Sequence, residues 1–133
     1  MVNRRQAAVA LAASLSGLSR AQATYPSKPI RIVVPFNAGG IADLTARAVG
    51  EALSARVGQA VVIDNRPGAG GVAAGELVAR AEPDGCTLLL MSNGTAVSAG
   101  LFKRLPFDAQ KDFAPVSLIG LFDLAIVVPA ASR

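Results

Sequence analysis

Three stretches of this sequence carry residue types able to meet a ligand. The first is Phe36, Asn37, Ala38, Gly39 and Gly40, followed shortly by Asp43. Paired glycines let the backbone turn tightly, and where a helix follows they present successive N–H groups at its positive end. Such a site accepts a carboxylate or a phosphate without any cationic side chain. The same pair could equally serve only as a strand-to-helix turn. Asp43 falls in the first turn of the following helix, where an acid complements the helix dipole. It could also accept a hydrogen bond from a ligand or an ordered water. The second stretch, residues 65–71 (NRPGAGG), joins Val72 and Ala73 to satisfy G-x-G-x-x-A formally. A dinucleotide site needs an acid about 20 residues further on for the ribose, and the region around Leu88 is apolar instead. The third stretch is Ser92, Asn93, Gly94 and Thr95. Ser92 does not make a nucleophile elbow, because Leu90 stands where G-x-S-x-G needs its first glycine. These residues read as hydrogen-bonding loop groups.

The elements that must position these loops follow from periodicity. Residues 30–35 (IRIVVP) form a short apolar run rich in β-branched residues, as expected of a strand covered on both faces. Ile41, Leu44, Ala48, Val49, Ala52 and Leu53 recur at helical spacing, and Gly58 supplies the stop. Residues 60–64 (AVVID) predict a second strand, and Ala74, Leu77, Val78 and Ala81 a second helix. Residues 82–85 (EPDG) read as a turn, and residues 86–91 (CTLLLM) as a third buried strand. Alternation of strand and helix with short connections signals an α/β domain with an open, mostly parallel sheet and flanking helices. In such a sheet ligands bind at the carboxyl ends of the strands, and all three loops lie there. Beyond Thr95 the pattern predicts a short helix over 96–101, a loop over 106–115, and apolar segments at 116–119 and 124–128.

Composition removes several function classes. The 133 residues contain no His and one Cys, which leaves no Ser-His-Asp triad, Cys-His pair, His-ligated zinc or internal disulfide. Cys86 sits in an apolar strand and reads as a small buried hydrophobe. The formal charge of +4 would ordinarily prompt a nucleic-acid reading. However, the chain opens with Arg4 and Arg5, runs uncharged over residues 6–19, and reaches Ala21, Gln22 and Ala23. A basic start, a short apolar core and an A-x-A site describe an export signal, with cleavage expected after Ala23. The 14-residue uncharged run is short for a spanning helix, which needs about 20 residues. With the leader go Arg4, Arg5 and Arg20, leaving ten cations against nine acids, a net of +1 with no basic stripe. Nucleic acid is not the expected partner.

Taken together the loops resemble a known family. Residues 25–31 (YPSKPIR) leading through 33–36 (VVPF) into Gly39, Gly40, Ile41, Ala42 and Asp43 resemble the start of the Bug-type substrate-binding proteins of tripartite tricarboxylate transporters. The likeness continues through NRPGAGG at 65–71, PDG at 83–85, LPFD at 105–108 and KDFAPVS at 111–117, in order and with compatible spacing. It implies the first lobe of a two-lobed, flytrap periplasmic binding protein that takes a small carboxylated solute and delivers it to membrane permease subunits. It implies no enzyme activity and no cofactor. It assigns carboxylate contact to Phe36, Asn37, Ala38, Gly39 and Gly40, largely through backbone N–H groups and water. Asp43 would hold that water or a polar ligand group, and Ser92, Asn93 and Thr95 would add hydrogen bonds. Asn37, Ile41, Val72 and Cys86 depart from residues common in the family, and the first two border the implied pocket. Members of the family are much longer, so residues 24–133 are expected to be a partial first lobe ending near the crossover to a second. The competing readings are a nucleotide-binding α/β enzyme fragment, resting on the Gly68 loop, and a remnant without binding activity.

Overall fold

The computed structural model describes residues 24–121 and 127–130. The expected leader and most of the apolar segment at 124–128 lie outside the described residues. Branching at Cβ favours extended backbone, and the run IRIVV forms β1 (Ile30–Val34). Helix α1 (Ile41–Val57) follows, and it ends where Gly58 turns left-handed (φ 69°) and donates its N–H to the Ser54 carbonyl. Then come β2 (Val61–Asn65), one 3-10 turn (Ala69–Gly71), α2 (Val72–Ala79), β3 (Thr87–Leu89) and α3 (Asn93–Leu101). The strands form a parallel sheet in the order β2-β1-β3. Ile32 stands opposite Ile63 on one side and Leu88 on the other.

The central strand holds the core. Ile30, Ile32 and Val34 point to one face and pack with Ala46 of α1, joined by Leu53, Val61, Ile63 and Leu88. Val33 points the opposite way by strand alternation, yet it is also fully buried. Right-handed crossovers in the order β2-β1-β3 place the two connecting helices on opposite faces, so α2 covers Val33. The chain after α3 then folds back over α2. A Cβ built on Gly75 would lie 2.6 Å from the Phe107 ring, and Phe107 meets Phe113 edge-on with centroids 5.5 Å apart. At the other end of the sheet, the Tyr25 hydroxyl donates to the Gly85 carbonyl at 2.8 Å. Lys28 pairs there with Asp84 at 2.6 Å, which fixes residues 25–28 against the turn before β3.

One expectation shifts. Helix α3 starts at Asn93 rather than near residue 96, with Ser92 in extended geometry as its N-cap (φ −114°, ψ 170°). Ser is a favoured residue at that position. Asn93 and Thr95 therefore belong to the first turn of a helix. Residues 116–119 form no regular element, and Val116 and Leu118 stand exposed. A short apolar run becomes a strand only when a neighbour supplies a ladder, and no described strand pairs with it. Among the described residues no helix is long and apolar enough to cross a membrane.

Candidate functional site

Because all three strands run the same way, their strand-to-helix connections emerge on one edge. Together they enclose a cleft of about 330 Å³, near the lower end of small-ligand sites at roughly 300–1,000 Å³. Its wall comes from Pro35, Phe36 and Asn37 after β1, from residues 67–71 after β2, and from Ser92, Asn93 and Gly94 at the start of α3. No titratable side chain contributes to that wall. What it offers is backbone, two amides, one hydroxyl and the N-terminus of α3. Such a surface can donate hydrogen bonds to an anion but supplies no acid or base for bond making. A second hollow of about 290 Å³ lies between the end of α3 and residues 102–109, away from the strand ends.

Asp43 is built into the wall from behind. It is 1% exposed, and its carboxylate accepts hydrogen bonds from the Gly39 N–H at 2.8 Å, Arg47 Nε at 2.9 Å and Asn65 Nδ2 at 3.0 Å. Asn65 Nδ2 also donates to the Phe36 carbonyl at 3.1 Å. One acid at the third helical position thus joins the β1 loop, its own helix and the end of β2. The bond from Arg47, then those from Gly39 and Asn65, hold its pKa down at about 2. It stays ionised at any physiological pH.

The nine residues singled out from sequence divide accordingly. Phe36, Asn37, Ser92 and Asn93 line the cleft. Ala38, Gly39 and Gly40 are exposed in the same loop but outside the cleft wall, and the Gly39 N–H is occupied by Asp43. Thr95 is completely buried, and its hydroxyl oxygen has no hydrogen-bond partner. A Cβ on Gly71 would stand 2.5 Å from Thr95 Oγ1 and 3.3 Å from Pro35 Cβ. All three loops therefore converge behind the cleft at Pro35, Gly71 and Thr95. The loops at 65–71 and 92–95 are legible in the sequence as candidate site segments, and the structure adds Pro35 to the wall. The glycine run after β2, which formally matches a nucleotide fingerprint, forms part of that wall instead. Gly68, Gly70 and Gly71 all have positive φ (136°, 64° and 90°), which brings main chain rather than side chain to the cleft. Arg47 was also missed, although its i, i+4 spacing from Asp43 is visible in the sequence.

The chain is similar to proteins of one kind. The profile of the tripartite tricarboxylate transporter family receptor (TctC) matches residues 45–133. A UPF0065 protein of a Pseudomonas species is 43% identical over 136 residues, covering 99% of this chain and 40% of that relative. Among solved structures, MatC from Rhodopseudomonas palustris with bound malate superposes with a TM-score of 0.67 at 40% identity, covering 71% of this chain and 33% of that one. A second R. palustris protein, with adipate, gives 0.56 at 31% identity, covering 65% of this chain and 29% of that one. The chain spans about two-fifths of the Pseudomonas relative. With a family profile matching most of its length and a cleft built where an α/β sheet binds ligands, the chain belongs to the TctC receptor family of solute-binding proteins, which are not enzymes.

Proposed function

We propose that this chain supplies one wall of a periplasmic binding site for a small di- or tricarboxylate, captured for a tripartite tricarboxylate-type transporter. The observation that carries this reading is the cleft at the strand ends, walled by main chain, amides and the N-terminus of α3 with no ionisable side chain. A carboxylate is matched there by N–H donors, and the partial positive charge of the helix end favours it. Malate and adipate in two structural relatives support the substrate class, and the receptor family supports delivery to membrane permease subunits. The basic, apolar, A-x-A start of the sequence supports export to the periplasm with cleavage after Ala23. Phe36, Asn37, Ser92 and Asn93 are the direct contacts in this reading. Ala38, Gly39 and Gly40 border the ligand, Asp43 holds the loop, and Thr95 sits behind the wall.

One wall leaves a ligand half in water, where hydrogen bonds to it are weak. Residues 24–133 alone should therefore bind malate only weakly. Amide shift mapping on labelled protein tests this. Malate should move the Asn37, Gly70 and Gly94 resonances, and malamide, its uncharged diamide, should not. Equal response to both compounds, or shifts confined to other residues, would overturn the reading. Micromolar binding by a monomer would overturn the one-wall account.

A further inference from the structure

Of the four asparagines in the chain, Asn93 alone is followed by glycine. An asparagine side chain is most open there to attack by the next main-chain nitrogen, since glycine puts no Cβ in the way. The structure sets the two groups together. Gly94 is the second residue of α3, so its N–H has no acceptor one turn back within the helix. It donates instead to Asn93 Oδ1 at 2.9 Å, which holds the side-chain carbonyl beside the nitrogen that would attack it. Asn93 is exposed and Gly94 half-buried, so water reaches both. Asn65 shows the opposite arrangement. The nitrogen that follows it, that of Arg66, is committed to the Val34 carbonyl at 2.7 Å. The Asn65 amide is itself tied to Asp43 and Phe36. Asn37 precedes Ala38, which carries a Cβ, and Asn3 lies outside the described residues.

We propose that Asn93 is a deamidation site whose product turns the anion-accepting end of the cleft wall into an anion-bearing one. Loss of the Gly94 N–H proton to solvent lets that nitrogen attack Asn93 Cγ. The N–Cγ bond forms, the Cγ–Nδ2 bond breaks, and ammonia leaves with a proton returned from water. Water then opens the five-membered imide at either carbonyl, leaving an aspartate or an isoaspartate. Either product adds one negative charge at the N-terminus of α3, where the helix dipole favours it. The new carboxylate takes N–H donors that a solute would need, and it repels the carboxylate of that solute. This consequence rests on the carboxylate reading of the cleft; the bond chemistry does not.

Peptide mapping after incubation in mildly alkaline, heavy-oxygen water reads the chemistry. The Asn93 peptide should take up label at least tenfold faster than those holding Asn37 or Asn65. Gly94→Ala should slow that uptake by a similar factor, and Asn93→Ser should abolish it. In urea the unaltered chain should label Asn93 less than tenfold faster than when folded, a comparison that stands even if the variants do not fold. A tenfold or greater rise in urea would show that α3 protects Asn93, and it overturns the proposal. So does folded-state uptake at Asn93 no faster than at Asn65. Asn93→Asp supplies the product charge by itself. Its carboxylate should shift the Gly94 amide resonance as it titrates, and malate should then move the Gly70 resonance at least tenfold less than in the parent. No titration at Gly94, or an undiminished malate response, overturns the conversion of the wall. A parent chain that ignores malate while Asn93 labels as described overturns the carboxylate reading and leaves the modification site standing.

Discussion

Asn65 and Asp43 join the end of β2 to the first turn of α1 across 22 residues of sequence, through a bond of 3.0 Å from Asn65 Nδ2 to Asp43 Oδ1. The same amide nitrogen reaches the Phe36 carbonyl. The strand that flanks β1 therefore holds the loop that follows β1, and the first wall of the cleft takes its shape before any ligand arrives. Buried polar groups that satisfy one another in this way fix a single arrangement, because each lost partner leaves a donor or acceptor exposed to the protein interior.

Acid should release this loop. The Asp43 pKa lies at about 2, against an ordinary value of 3.8, because Arg47, Gly39 and Asn65 all bind the ionised form. A depressed folded-state pKa makes the stabilisation complete above the unfolded value. It is lost as pH falls through the folded one. The loop should hence hold at pH 5 and loosen between about pH 4 and 2. The Gly39 amide proton shift should titrate with a midpoint near 2, and Asp43→Asn should abolish that titration. A Gly39 midpoint at 3.8 would show that the bond to Asp43 is not maintained.

Gly71 should tolerate no side chain. Its φ of 90° disfavours any L-residue, and an added Cβ would press to within 2.5 Å of Thr95 Oγ1. Gly71→Ala should cost about 2–4 kcal/mol, combining left-handed backbone strain with overpacking. Gly100, in α3, has open space around its Cβ position and no positive φ. Gly100→Ala should stabilise by about 0.5–1 kcal/mol through helix propensity. Urea unfolding of the two variants should move in opposite directions.

These contrasts show where the sequence was legible. The β-branched run of β1, the periodic α1 and its Gly58 stop are local signals, and each produced the expected element. The start of α3 was not readable, because Ser92, Asn93 and Gly94 are types that favour turns as readily as a helix N-terminus. The Asn65–Asp43 bond was hidden for a different reason. It depends on β1 and β2 being neighbours, and nothing local to either residue encodes that pairing. The glycine run after β2 was conspicuous, but its conformation and its place in the cleft wall depend on contact with Pro35 and Thr95.

Thr95 should be improvable. Its side chain is fully buried, and Oγ1 has no partner. Replacing an orphaned hydroxyl by a methyl of the same shape removes a desolvation penalty, so Thr95→Val should raise stability by about 1 kcal/mol. Thr95→Ala leaves a gap beside Gly71 and should not share that gain. Thermal unfolding that shows Thr95→Val less stable than the parent would mean the hydroxyl is satisfied in solution, by water or by a shifted Gly71.

The contact between Gly75 and Phe107 makes the last prediction, because it separates two effects of one methyl group. Gly75 lies inside α2, where alanine would ordinarily gain about 0.5–1 kcal/mol. Here the new Cβ would stand 2.6 Å from the Phe107 ring, which is 7% exposed and braced against Phe113. Overpacking of this kind costs about 1–3 kcal/mol and should outweigh the propensity gain. Gly75→Ala should therefore destabilise the wild-type background. With Phe107→Leu, which removes the ring, the same substitution should become neutral or favourable, giving a coupling of about 1–2 kcal/mol in a double-mutant cycle. Additive effects would show that the segment after α3 does not rest on α2 in solution. Residues 102–113 would then contribute nothing to holding the second face of the sheet.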